Sequence, residues 1–217
     1  MSKLQRNEIV DQALIILDRH GVDALTTRKI ALALDVQAGA LYWHFRDKRA
    51  LLDALSDRIM AGVGAELAPG DAHTQLTELA HRFRAALLAH RDGARVVAGA
   101  YGGGPNTFAL SGTFIDALLR AGVPERHAGT AMFTLSRFII GHTLEEQAQH
   151  ELEAAGEWEA HWDGVEDPRI RTLLAPIIDG DPADQFRLGL GILLSGLHSL
   201  GSADLADSGF DHPVDGP

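Results

Sequence analysis

Residues 25–52 read LTTRKIALALDVQAGALYWHFRDKRALL. Two short helical patterns meet here at a tight corner, Asp35-Val36. The first carries Ile30, Ala31 and Leu34 on one face. The second begins with Ala38, Gly39 and Ala40 and carries Leu41 and Phe45. Helices of about 7 to 8 residues are marginal alone in water, so each must pack on a neighbour. Two short helices joined by a turn of about 3–4 residues form a helix-turn-helix, whose second helix can enter a DNA major groove. The corner needs a residue that tolerates positive φ, and the short polar side chain of Asp35 suits it.

Working outward, residues 5–19 read as a first helix, with Ile9, Ala13, Ile16 and Leu17 at helical spacing and Gly21 at its end. Thr26 or Thr27 caps the next helix, which runs to about Leu34. The recognition helix is expected from Ala38 to His44. Asp47 caps a longer helix over 47–63, with Leu51, Leu52, Leu55 and Ile59 inward. Ala68-Pro69-Gly70 is the clearest break. Beyond it, helices are expected over 72–90, 93–99, 107–121, 125–154, 168–179 and 183–200. The Gly-rich run 99–104 reads as loose, residues 156–167 (GEWEAHWDGVED) as irregular, and the tail from Ser202 as disordered. No strand pattern and no repeat stand out, so the fold class is all-α. The last helix, DQFRLGLGILLSGLHSL, is apolar nearly all round, which demands burial. Its glycines Gly189, Gly191 and Gly196 each cost up to about 1 kcal/mol in a helix, and are kept where another helix must approach closely.

Composition narrows the function. The 217 residues suffice for one large domain or two small ones. No apolar run approaches the roughly 20 residues that span a bilayer, and MSKLQRNEIV does not read as a secretory signal. Cys is absent, which excludes a disulfide frame and a thiolate metal site. A cytoplasmic location is the simplest expectation. The net charge of −11 is unevenly spread. Residues 1–50 hold 8 Lys and Arg against 6 Asp and Glu, giving +2 and leaving −13 for the rest. A mildly basic head on an acidic body fits a protein that meets phosphates at one end only.

TTRKIA…ALYWHFRDKRALLDAL resembles the DNA-binding domain of the tetracycline-repressor (TetR) family of transcriptional regulators. The similarity continues in ALLAHRDGARVV (residues 86–97) and GHTLEEQ (residues 141–147). The resemblance implies a three-helix helix-turn-helix domain over residues 1–47, a connecting helix over 48–67, and a larger helical effector-binding and dimerisation domain over 68–201. It implies a homodimer, in which the 125–148 helix and the last helix pair with their copies as a four-helix bundle. It implies a repressor whose connecting helix sets the separation of two recognition helices on double-stranded operator DNA, roughly 34–36 Å apart.

The chemistry of the corner suggests the reading residues. Thr27, Tyr42, His44 and Lys48 suit phosphates. Arg28 can fork onto a guanine edge and Gln37 onto an adenine edge, while Tyr42 and Trp43 offer aromatic surface to sugar or thymine methyl. Tyr42 and Trp43 could instead be core aromatics of a small domain. In the family, positions 37–40 help choose the operator. Here Gln37, Ala38, Gly39 and Ala40 are smaller than the residues of its tetracycline-binding members, which implies a different operator.

In the larger domain, Leu79, Phe83, Val97, Phe108 and Phe138 with Tyr101, His142 and Glu145 mix apolar and polar groups as a small-molecule pocket does. They could equally form a plain helical core. By resemblance, Phe83 and Glu145 match family positions. The metal-ligating His position is Val97, a nearby Thr position is Ala100, and two drug-contacting polar positions are Gly64 and Leu79. Valine cannot ligate Mg²⁺. The resemblance therefore implies a more apolar effector than magnesium–tetracycline, with no cofactor and no resident metal. Two other readings compete. One is a metal-dependent enzyme using His142, Glu146 and His150 at i, i+4 and i+8. The other is a DNA-binding regulator with no effector. No H-E-x-x-H, phosphate-loop or G-x-S-x-G motif supports an enzyme.

Overall fold

A computed structural model describes residues 4–100 and 102–202. Tyr101 and the tail beyond Ser202 lie outside the described residues. Those described form helices and connections, with no strand among them. In order they are α1 (Arg6–His20), a 3-10 turn (Val22–Ala24), α2 (Thr27–Ala33), α3 (Ala38–Tyr42), α4 (Lys48–Ile59), α5 (Ala72–Leu88), α6 (Gly93–Gly99), α7 (Pro105–Arg120), α8 (Glu125–Ala155), α9 (Trp158–His161), α10 (Pro168–Ile178) and α11 (Pro182–Ser202). The all-α expectation holds.

Local chemistry starts and stops these helices. The Thr26 hydroxyl accepts the Lys29 N–H at 3.2 Å and so caps α2. Asp47 and Asp71 do the same for Ala50 and Thr74, each at 2.8 Å. Each such cap satisfies a donor that the first turn leaves free. At the corner, Asp35 takes φ 53°. The Asp35 N–H then donates to the Leu32 carbonyl and the Val36 N–H to the Ala31 carbonyl, which closes α2 in a Schellman turn.

Helices α1, α2 and α3 enclose a small core of Ile9, Ala13, Leu17, Leu25, Ile30, Ala31, Leu41 and Phe45. A fully buried Ile or Leu contributes about 1.5–3 kcal/mol, which offsets the poor intrinsic stability of the five-residue α3 and seven-residue α2. Leu51, Leu55 and Ile59 carry the core along α4. Helix α4 packs on α1 at one side and on α6 and α7 at the other. The larger body is built on α5, α7 and α8, with α11 laid against α8 and α5.

Three expectations need correction. The recognition helix ends at Tyr42, two residues early. Residues 156–167 hold a helical turn, because Trp158, His161 and Trp162 stack on one another. In the Gly-rich run, Gly102 to Gly104 dock on α4: a Cβ at Gly102 would lie 2.6 Å from Asp53 Oδ2. Within the single chain, α11 is buried on one face only. Phe186, Leu190 and Leu194 pack inward, while Leu188 is 69% and Ile192 65% exposed.

Candidate functional site

The head leaves polar and aromatic side chains outside its core. Arg28, Gln37, Tyr42, Trp43 and Lys48 are exposed, and Thr27, Ala40 and His44 are half-buried beside them. Trp43 is 91% and Tyr42 59% exposed, so neither is a core aromatic. The core closes without them, which leaves both rings free for a partner. Gly39 has open space where a Cβ would be, so backbone can approach a partner closely there. Lys29 and Arg46 are also exposed, and a reading by residue type passes them over. Their signal was position: Lys29 falls on the polar side of α2, and Arg46 in the bend between α3 and α4.

Two polar junctions fix the head to the body. In the first, Asp57 of α4 accepts hydrogen bonds from the Thr107 N–H at 2.9 Å, the Thr107 hydroxyl at 3.1 Å and Asn106 Nδ2 at 2.9 Å. Asp53 accepts the Gly102 N–H at 3.1 Å. In the second, Asp92, in the left-handed region at φ 56°, accepts the Val22 N–H at 2.7 Å. Asp18 meets His90 at 3.0 Å and Asp23 meets Arg95 at 2.8 Å. The hydrogen bond and charge of Arg95 hold the Asp23 carboxyl below the usual carboxylate range. Both of those side chains are exposed, so the pair orients more than it stabilises.

The expected ligand residues divide. Leu79 and Phe83 are buried in the core between helices. Val97 and Phe138 are half-buried at its edge. Phe108 is 66% exposed, with its ring over Gly103, and lines no interior space; that expectation is corrected. His142 and Glu145 do come together, in a cavity of about 330 Å³. Its walls come from α8, α9, α10 and the start of α11, with Gln149, Leu152, Trp158, His161, Trp162 and Gln185 among them. Sequence reading missed Trp158, His161 and Trp162. The i, i+3, i+4 spacing of W-x-x-H-W was the available signal.

The arrangement of α8 is chemically specific. His142 Nε2 donates to the Pro182 carbonyl at 3.0 Å, which fixes the ring against the start of α11. Its ring lies against Phe138 and Phe186. Glu146 is buried and accepts a fork from Arg84, with Nε at 2.8 Å. That pairing commits Glu146 and breaks up the His142, Glu146, His150 set. Among the described residues no group of three His, Cys, Asp or Glu side chains could hold a metal ion.

Comparison with known proteins agrees with this geometry. Residues 9–55 match the family described as bacterial regulatory proteins, tetR family, and residues 66–200 match the tetracyclin repressor-like C-terminal domain. The tetracycline repressor protein class A from transposon 1721 of Escherichia coli is 41% identical over 206 residues, covering 91% of this chain and 92% of its own. A TetR variant from Acinetobacter baumannii AYE, solved in complex with minocycline, superposes with a TM-score of 0.73 at 35% identity, covering 93% of this chain and all of that one. BioQ with its double-stranded DNA operator superposes with a TM-score of 0.70 at 30% identity, covering 90% and 99%. These relatives are regulators and not enzymes. With both halves of the chain matched and the reading head in place, the protein belongs to the TetR family of DNA-binding transcriptional regulators.

Proposed function

We propose that the protein is a homodimeric repressor, released from a palindromic operator by a small, largely apolar effector that is not magnesium–tetracycline. One observation carries the release mechanism. Helix α4 holds the head's core through Leu51 and Leu55, and further along it binds the N-terminus of α7 through Asp57. A shift in the body must therefore tilt α4 and change the spacing of two heads. An effector acts only if it binds the released shape more tightly than the operator-bound shape.

Division of labour follows the chain: a head over residues 1–47, a connecting segment over 48–67 and a sensing, pairing body over 68–201. On the head, Arg28 and Gln37 read base edges. Tyr42, Trp43, Thr27, His44 and Lys48 hold sugar and phosphate, and Ala40 lets the backbone close on the groove. Pairing is supported by the apolar faces left open on α8 and α11. No helix among the described residues is long and apolar enough to cross a membrane, and the proposed setting is the cytoplasm, with the DNA.

The case against magnesium–tetracycline rests on side chains. Val97 offers no ligand to Mg²⁺. Leu79 is fully buried. A Cβ at Gly64 would lie 3.0 Å from the Leu110 Cα, so a polar side chain there would displace α7. Selection of duplexes from a random pool tests the whole reading. The expected winners are palindromes, and magnesium–tetracycline should not release them. Recovery of non-palindromic duplexes, or release by that chelate, would refute it.

A further inference from the structure

The cavity beneath α9 has an unusual electrostatic balance. No Lys or Arg lines it. Glu146 in its wall is neutralised by Arg84. Glu145 at its rim is exposed and holds no hydrogen bond or ion pair among the described residues. Opposite stand aromatic groups: Trp158 and Trp162 cross edge to face with centroids 5.5 Å apart, and His161 stacks on Trp158 at 6.1 Å. Trp158 is fixed by donating its indole N–H to the Ile178 carbonyl at 2.8 Å. Trp162 carries a buried indole N–H with no partner among the described residues. A volume of about 330 Å³ lies at the small end of the range for small-molecule sites.

We infer that this cavity is an effector site for an organic cation: an apolar, aromatic-sized body bearing one protonated or quaternary nitrogen. This rests on the regulator reading above and names the effector's class. The physical argument is subtraction. An anion meets Glu145 with no compensating cation in the walls. A neutral apolar ligand leaves Glu145 solvated but unused. A cation pairs with Glu145 and lies over the electron-rich faces of Trp158 and Trp162, where a desolvated positive charge is held most firmly. The body carries −13 outside residues 1–50, so its field also favours cations over anions. An acceptor atom on the ligand would satisfy the indole N–H of Trp162. The site differs from a magnesium chelate site because its walls offer rings and a single free carboxylate where a hard cation wants several oxygens.

The test uses benzyltrimethylammonium and its uncharged carbon isostere, neopentylbenzene. Trp43→Phe removes the third indole, so emission reports on Trp158 and Trp162. The cation should quench that emission saturably. Glu145→Gln, at an exposed and unpaired position that folding does not depend on, should lower the preference for cation over isostere about tenfold. In the unaltered chain, bound to its selected palindrome, the cation should release the duplex and the isostere should not. The inference is overturned by absence of saturable quenching up to about 10 mM, by an unchanged preference in Glu145→Gln, or by binding without release. Any of these in a protein that still grips its palindrome removes the cation site and leaves the regulator. Failure to hold any palindrome removes the regulator reading itself.

Discussion

Asp57 accepts the backbone N–H of Thr107 at 2.9 Å, so a carboxylate on the connecting helix caps a helix that begins about fifty residues later. Gly104 precedes α7 and offers no side-chain cap, and a Cβ there would lie 2.3 Å from the Asp57 carboxyl carbon. The glycine makes room for the foreign cap. Helix α7 thus starts correctly only when α4 lies where it does. This junction between head and body is polar and open to water at its margin. Such a contact breaks and remakes more readily than a packed apolar one.

Asp57→Ala removes this cap along with two further hydrogen bonds. Loss of an N-cap costs about 1 kcal/mol and up to about 2 kcal/mol. Urea unfolding should show that loss with an unchanged slope. Operator affinity should also fall, because α4 loses its stop. Wild-type stability in the variant would show that the joint is ornamental.

Arg28→Ala should weaken specific DNA binding by roughly 1–3 kcal/mol and relax choice at one base position. Lys48→Ala should weaken all duplexes alike and lower the salt slope by about 1. Titrations at several salt concentrations separate the two effects. Equal losses on specific and random duplexes for Arg28→Ala would move it from base reading to phosphate.

What was legible in the sequence was local. Asp35 at the corner, Asp47 as a cap, a threonine cap at 26 or 27 and Gly21 after α1 each act within about four residues, and residue type alone reports them. The buried faces of α1, α4 and α5 followed from spacing, since a helix face repeats at a fixed period. The misses were contacts between distant segments. Gly102 to Gly104 read as loose because glycine is permissive, but here its small size admits Asp53 and Asp57. Nothing near Phe108 foretold that its ring would lie over Gly103 at the surface. The head's outward side chains, Tyr42 and Trp43 among them, were legible as the polar and aromatic remainder of a small filled core. The cavity was only half legible: His142 and Glu145 lay on a regular helix, whereas the Trp158 turn depends on α10 and α11 closing over it.

His81 sets a pH limit on the body. Its ring meets Phe186 edge to face with centroids 5.3 Å apart. Burial pushes its pKa below the usual 6.5, and the charges of Arg84 and Arg187 add to the effect. The folded state therefore prefers the neutral ring, and the unfolded chain binds the proton more readily. Stability from this group is present above pH 6.5 and declines as pH falls below that value. His81→Phe keeps an aromatic ring and removes the proton site, so its stability should fall less between neutral pH and about pH 5. Identical slopes for the two proteins in thermal melts across that range would discharge His81 from the role.

Leu188 and Ile192 are one turn apart on the open face of α11. On α8, Gly129, Phe133, Ile140 and Leu144 follow one stripe, with Phe133 and Leu144 exposed. Small residues on these faces leave space: Gly129 and Gly191 have nothing within 4 Å of a built Cβ. Apolar faces of this kind on two helices are covered when two copies meet, α8 and α11 against their counterparts. Arginine at 188 and 192 would bury four like charges across such a contact, a cost large enough to prevent it. The double variant Leu188→Arg, Ile192→Arg should sediment as a monomer while the parent sediments as a dimer. Its helical content and thermal midpoint, extrapolated to low concentration, should change little, because neither side chain belongs to the monomer's core. Its affinity for the palindrome should drop by about 100-fold or more, since each head then binds its half-site without the other. A double variant that remains dimeric would place the pairing surface elsewhere on the chain.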